Sequence, residues 1–363
     1  MGPRFTGWSE QWATQPSFFV GEYAFIALAI IALVHARACG RAHVIAWIAA
    51  LVAGTANDVF FMALPLVDNF WQAQATIMIT PRLPLYIPCV YVCFLYIPRV
   101  ASWRLGLPRW SGPAASGLAA ILFYEAYDII GAKFLWWTWH DTDPTIALRF
   151  VGSPVGSIIF VIALAAAYAW LLDRGLGGRT TISRGRFIGT LALVAVGTTP
   201  LMMIAMAPLQ QLDGGLPGGR GLAVFVVLFV VLVVLGLGRR TSTPRFAADR
   251  RLWIATVVYF AVLAAIALVF DPAQVVSTGV HQTLGPCDVL ATDLGGHVRH
   301  EFLCATDFSE AQVLCRPQAS DTASWYTVCG TPHADYAPWI AAILAITIAG
   351  AAAFTWMLKP RST

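Results

Sequence analysis

Apolar runs about one membrane thickness long, separated by short polar connections, organise this chain from end to end. About nine of them approach the roughly 20 residues that a helix needs to cross a bilayer. They lie near residues 17–37, 43–66, 74–98, 114–135, 154–173, 187–209, 221–238, 252–270 and 337–358. The pattern predicts an all-α, polytopic integral membrane bundle of about nine transmembrane helices. Residues 1–270 form its body, 271–336 a polar loop, and 337–363 the last span with a short tail.

The runs differ in kind. Spans five to nine are mostly Val, Leu, Ala and Ile, and the seventh, GLAVFVVLFVVLVVLGLG, carries no polar side chain, as a lipid-facing helix without chemistry would. Polar groups are concentrated in the first four spans, so a polar cavity is expected within residues 17–150. Composition agrees with the class: 58% of the 363 residues are hydrophobic and 12% charged, about half the charge of an average soluble domain.

Charge orients the spans. Arg37 and Arg41 lie in the first connection, Arg99, Arg104 and Arg109 in the third, Arg174 to Arg186 in the fifth and Arg239 to Arg251 in the seventh, while Lys359 and Arg361 end the chain. The alternate connections carry almost none, which predicts an N-terminus outside and a C-terminus in the cytoplasm, with the protein in the plasma membrane or its equivalent. The net charge of +4 is therefore read as topology and implies no nucleic-acid partner. The first run contains Glu22 and is followed by its arginines, unlike a cleavable signal, and is expected to be retained.

Cys287, Cys304, Cys315 and Cys329 all fall in the 271–336 loop on the expected outer side. Thiols there meet an oxidising compartment, so two disulfides are expected, with three pairings open. A zinc site is the rival reading, since His281, His297, His300 and His333 lie nearby, but the paired CxxC spacing of structural zinc is missing. No metal or cofactor is expected.

Ionisable groups inside a membrane mark a functional site by default. Glu22, Asp58, Glu125 and Asp128 are the candidate catalytic acids, and Arg82 is the expected membrane-buried cation. Counted at about 1.5 Å per helical residue, all five lie between the mid-plane and the outer surface. They are expected to converge, with Arg82 against Asp58 or Glu125 and with Glu125 as proton donor. Close carboxylates in a poorly hydrated site cannot all ionise, which supplies the equipment of acid–base chemistry and equally of proton coupling. In ITPRLPLYIP three prolines should kink or break the third span beside Arg82. Asn57, Tyr124, Tyr127, Trp139 and His140 complete the candidate substrate contacts. Trp136, Trp137 and Trp139 are otherwise read as an interfacial aromatic belt.

The segments NDVFFMALPLVDNFWQAQ, ITPRLPLYIPCVYVCFLYIP, KFLWWTWHDTDP and WYTVCGTP resemble an uncharacterised family of polytopic membrane proteins defined only as a domain of unknown function. The resemblance spans most of the chain and implies a shared fold without an activity. In layout alone, an acid in span one and a Trp-rich segment after span four, the chain is similar to membrane carotenoid hydratases. No histidine is expected inside a span, which sets aside His-rich intramembrane zinc hydrolases, and no GxSxG, HExxH or phosphate-loop motif stands in a suitable context. Three readings follow: an acid–base enzyme acting on a lipid or isoprenoid, a proton-coupled small-molecule transporter, and a non-catalytic receptor or assembly subunit. Membrane lipids and a hydrophobic small molecule are the expected partners.

The orientation is testable directly. An impermeant thiol label applied to reduced, intact cells should reach the cysteines of residues 271–336, and labelling that requires permeabilisation would reverse the topology.

Overall fold

In a medium without water a helix is the default, because it satisfies every backbone N–H and C=O within the segment. The computed structural model describes residues 4–64, 70–140, 143–177, 182–240, 250–280, 288–293, 296–301, 312–315 and 325–360, and all but one of the apolar runs are helical as expected. After the short α1 (Trp8–Thr14) come α2 (Pro16–Cys39), α3 (Arg41–Ala63), α4 (Tyr86–Arg104), α5 (Gly112–Lys133), α6 (Val155–Leu176), α7 (Arg184–Gln211), α8 (Gly219–Leu237), α9 (Arg250–Val269) and α10 (Tyr336–Leu358). Among the described residues, nine of these helices are long and apolar enough to cross a membrane.

The exception is the third run, where the helix expected from residue 74 begins only at Tyr86. Ahead of it lie β1 (Arg4–Phe5), β2 (Phe70–Gln72), β3 (Ile77–Thr80) and β4 (Leu83–Pro84), with β3 between β1 and β4 in one small antiparallel sheet. Pro81 and Arg82 form the hairpin turn, and the Thr80 hydroxyl accepts from the amides of Arg82 (3.3 Å) and Leu83 (3.0 Å). The break expected beside Arg82 is thus a complete reversal, because proline presets a turn and the threonine oxygen offers the amides an alternative to a helix. Neighbouring backbone takes up the rest: Ala73 N donates to Trp136 O (3.0 Å), Gln74 N to Thr278 O (2.8 Å) and Thr6 N to Thr76 O (2.9 Å).

The Trp-rich segment corrects a second expectation. At the end of α5, Leu135 adopts a left-handed conformation (φ 55°) and Trp136 N reaches back to Gly131 O (2.8 Å), the closing geometry of a helix C-terminus. The chain then runs as β5 (Trp137–Trp139) antiparallel to β2, with Phe70 opposite Trp139. Trp136 and Trp137 are consequently buried in the core and do not form an interfacial belt. Trp136 lies over Gly21, where a Cβ would collide with its ring.

The hairpin of β6 (Arg149–Phe150) and β7 (Ser153–Pro154) leads into α6. Beyond α9, β8 (Val276–Val280) pairs with β12 (Trp325–Gly330), β12 with β11 (Gln312–Leu314), and β9 (Leu290–Thr292) with β10 (Val298–His300). Cys315 and Cys329 form a disulfide across the β11–β12 edge, while Cys287 and Cys304 fall outside the described residues. An isolated bridge between Ala73 and Gly279 joins this sheet to the reversal before α4. The described strands therefore gather at one end of the bundle, and the arginine-bearing connections fall at the other.

α4 occupies the centre, buried almost throughout from Tyr86 to Trp103. α8 buries only Gly221, Phe225 and Gly236, leaving an apolar outer face. α3 approaches α4 closely at Gly54, where any Cβ would collide with Tyr91. Arg99, assigned from sequence to a connection, lies inside α4 and is deeply buried, whereas Arg82 is partly exposed. Arg99 donates to Asp173 on α6 (2.5 Å), Ser116 (3.0 Å) and Ser102 (3.2 Å). Trp103 Nε1 also donates to Asp173 (3.2 Å). Breaking a buried pair strands a charge, so Arg99→Leu or Asp173→Leu should each cost about 3–5 kcal/mol, whereas the double replacement should recover much of the loss. Thermal unfolding of the detergent-purified protein checks this, and equal losses in the single and double variants would refute it.

Candidate functional site

At the strand-bearing end, α3 to α7 splay around a cavity of about 410 Å³, within the size range of small-molecule sites. Its walls are aromatic and thioether-rich: Phe61, Tyr91, Phe94, Tyr124, Tyr127, Trp137, Trp139 and Phe160, with Met202, Met203 and Met206 from α7. Asn57, Asp58, Gln72, Ser157 and Gln210 add polar atoms, and Asp143, Asp293 and His297 stand at its rim. Of the residues singled out from sequence, Asn57, Asp58, Tyr124, Tyr127 and Trp139 meet on this wall. Glu22, Arg82, Glu125, Asp128 and His140 are not part of it.

The polar wall is organised by a directed hydrogen-bond chain across three helices. Thr199 on α7 donates to Asn57 Oδ1 (2.9 Å), Asn57 Nδ2 donates to the Tyr91 hydroxyl (3.2 Å), and Tyr91 donates in turn to Asp58 Oδ1 (3.2 Å). Each group has one role: the amide can present its N–H₂ to tyrosine because threonine occupies its oxygen, and the tyrosine proton then points at the carboxylate. A second chain runs from Tyr127 through the Tyr86 hydroxyl (3.5 Å) to Gln72 Oε1 (3.1 Å). Sequence reasoning passed over Tyr91 and Thr199. The signal for the latter was the threonine pair Thr198 and Thr199 ahead of Pro200 inside an otherwise apolar run.

The remaining candidates are engaged elsewhere. Glu22 accepts from the amides of Thr76 (3.0 Å) and Ile77 (3.4 Å), fastening α2 to the reversal before α4. Arg82 is partly exposed and donates to Met62 O (3.0 Å) at the end of α3, where the helix dipole favours a cation. Asp128 accepts from Ser153 on β7 (2.6 Å). Glu125, three residues earlier on the same face, is buried beside Asp128, and among the described residues neither of its oxygens has a hydrogen bond of normal geometry. His140 is buried with its ring edge-on to Trp71, centroids 6.4 Å apart.

Strand-end elements close the rim. Asp143 accepts from Thr145 N (2.9 Å) and Thr145 Oγ1 (2.8 Å), and its other oxygen takes Arg299 Nη1 of β10 (3.2 Å), both partners being buried. This ion pair docks the loop after α9 onto the bundle, and it was not foreseen because its partners are 156 residues apart. On the same loop His297 Nδ1 lies 3.3 Å from Asp293 Oδ2. Among the described residues, no three His, Cys, Asp or Glu donors converge at the cavity closely enough to hold a metal ion.

The Glu22 contact makes a specific prediction. Glu22→Ala should strand two amides in a dry setting at about 1–3 kcal/mol each, while Glu22→Gln, which keeps one acceptor oxygen, should lose less. Thermal unfolding should rank the proteins wild type, Gln, Ala; an Ala variant as stable as wild type would show that the amides find other partners.

No curated protein and no solved structure matches the chain, so the layout likeness to carotenoid hydratases has no counterpart among the comparisons. A family model matches residues 6–181 and 191–358, covering the reversal, the cavity and the strand-bearing loop alike. The chain, with its nine helices long and apolar enough to cross a membrane among the described residues, therefore belongs to the family defined as the domain of unknown function DUF7802.

Proposed function

We propose that the cavity takes a lipid- or isoprenoid-like molecule from the membrane and that the protein acts on it by acid–base chemistry, with Asp58 as the group that exchanges a proton with the substrate. The observation that carries this reading is a carboxylate on an aromatic cavity wall that also accepts the hydroxyl proton of Tyr91. An apolar body would lie against Phe61, Phe160 and the α7 methionines, with its polar end at Asp58. A positioned carboxyl contributes about 10²–10⁴-fold to a proton-transfer step, and the hydrogen bond from the Tyr91 hydroxyl to Asp58 Oδ1 helps to position this one. The strand-bearing end is assigned to the outside, since the arginine-bearing connections lie opposite and a disulfide implies an oxidising compartment.

A proton-coupled carrier is the second reading, favoured by α7. Pro200 and Pro208 flank Met202, Met203, Met206 and Ala207 of the cavity wall, and few of the side chains of α7 are buried, so this wall is the one most able to move.

Native mass spectrometry of the gently extracted protein should find one apolar molecule bound, lost when Met206→Trp fills the cavity. Lipid extracts of cells expressing wild type and Asp58→Asn should differ in a substrate–product pair, with the variant still loaded. An unloaded wild type, or identical extracts together with proton-driven uptake into vesicles, would replace the enzyme reading with the carrier.

A further inference from the structure

A second polar centre lies at the opposite end of the bundle, where His35 of α2 and His43 of α3 correct the expectation that no histidine lies inside a span. α2 ends at Cys39, and the chain reverses at Gly40 with φ 99°, a conformation that residues with a Cβ seldom adopt. α3 therefore starts immediately at Arg41. The reversal sets His35 near the end of α2, Cys39 at its last position and His43 in the first turn of α3 side by side. Cys39 Sγ lies 3.3 Å from His35 Nε2. One ligand atom from each of His35, Cys39 and His43 lies within 4.8 Å of the other two.

The two imidazoles share a partner on α4. His35 Nδ1 is 2.7 Å and His43 Nδ1 3.0 Å from the Tyr96 hydroxyl oxygen. A phenol oxygen has two acceptor lone pairs, so both rings can donate Nδ1–H to it at once, which leaves each Nε2 as the lone-pair nitrogen. That is the tautomer of a metal-ligating histidine whose outer N–H is held by an oxygen. His35 and His43 are buried, with the Trp103 ring edge-on to His43 (5.2 Å), while Cys39 is half-buried and gives an ion a way in.

We propose that His35, Cys39 and His43 form a binding site for a zinc-class transition-metal ion, with Tyr96 as the positioning residue. Two imidazoles and a thiolate suit zinc and exclude the hard cations calcium and magnesium, which take oxygen ligands. Three protein ligands leave a fourth, tetrahedral position to water or a small ligand. On binding, the metal–sulfur bond replaces the S–H bond of Cys39 and the proton leaves to solvent. The site is independent of the cavity and of the function proposed for it.

Cobalt(II) is the probe, titrated into the reduced, full-length protein in detergent. One equivalent should bind with a thiolate-to-cobalt charge-transfer band in the near ultraviolet and be displaced by zinc. Cys39→Ser should abolish the band, and His43→Gln should weaken binding. Tyr96→Phe leaves all three ligands in place and should lower affinity about 10–100-fold, the usual effect of losing an outer-shell partner. A wild type without the band, or a band that survives Cys39→Ser, would overturn the site; unchanged affinity in Tyr96→Phe would overturn the role of the tyrosine.

Discussion

Backbone that leaves the helix inside a membrane protein must find every hydrogen bond in protein, and the segment from Phe70 to Leu85 is where this chain meets that demand. Its amides and carbonyls are taken up from several directions: by Glu22 on α2, by Trp136 after α5, by Thr278 on β8 and by Thr6 beside β1. The consequence is geometric. The reversal lies among the strand-bearing ends of α3 to α7 and places Gln72 and Phe70 in the cavity wall. Without it, a continuous third helix would carry Pro81 and Pro84 in its interior, where each removes a backbone donor.

The buried charges divide by what satisfies them. Arg99 and Asp173 neutralise each other while pinning α4 to α6, and Asp143 and Arg299 do the same between the bundle and the loop beyond α9. Glu22 and Asp128 are held by amides and a serine hydroxyl. These are architectural uses of charge, stable because each ion has directed hydrogen bonds in a poorly hydrated place. Asp58 combines a directed bond from the Tyr91 hydroxyl with a position on the cavity wall. The cavity-wall chain and the histidine cluster are then both built on tyrosines of α4, Tyr91 toward the strands and Tyr96 toward the arginine-bearing turns.

The amino-acid sequence by itself determined the class and the spans. Hydropathy over about 20 residues is a local quantity, and for eight runs no competing signal intervened. It also held the family likeness, the break beside Arg82 and the cysteine pairing of Cys315 with Cys329 as one of three options. The third span misled at its start because ATIMIT is apolar enough for a helix, whereas Pro81 and the Thr80 hydroxyl, with strands β1 and β4 to pair, make it a hairpin. The tryptophans misled likewise: Trp136 and Trp137 carry the composition of an interfacial belt, but the left-handed turn at Leu135 sends them inward.

Only the tertiary structure decided which polar residues meet. Depth along a helix follows from counting at a fixed rise, so Glu22, Asp58, Glu125 and Asp128 could all be placed in the same half of the membrane. The azimuth at which each side chain faces its neighbours depends on how helices pack, on close approaches such as Gly54 against Tyr91, and on non-local pairs such as Asn57 with Thr199 or Asp143 with Arg299. The same limit hid the His35, Cys39 and His43 cluster, which exists because Gly40 folds two helix ends together and Tyr96 of a third helix receives both rings. Spacing along one chain encodes depth; contact between helices is a property of their packing.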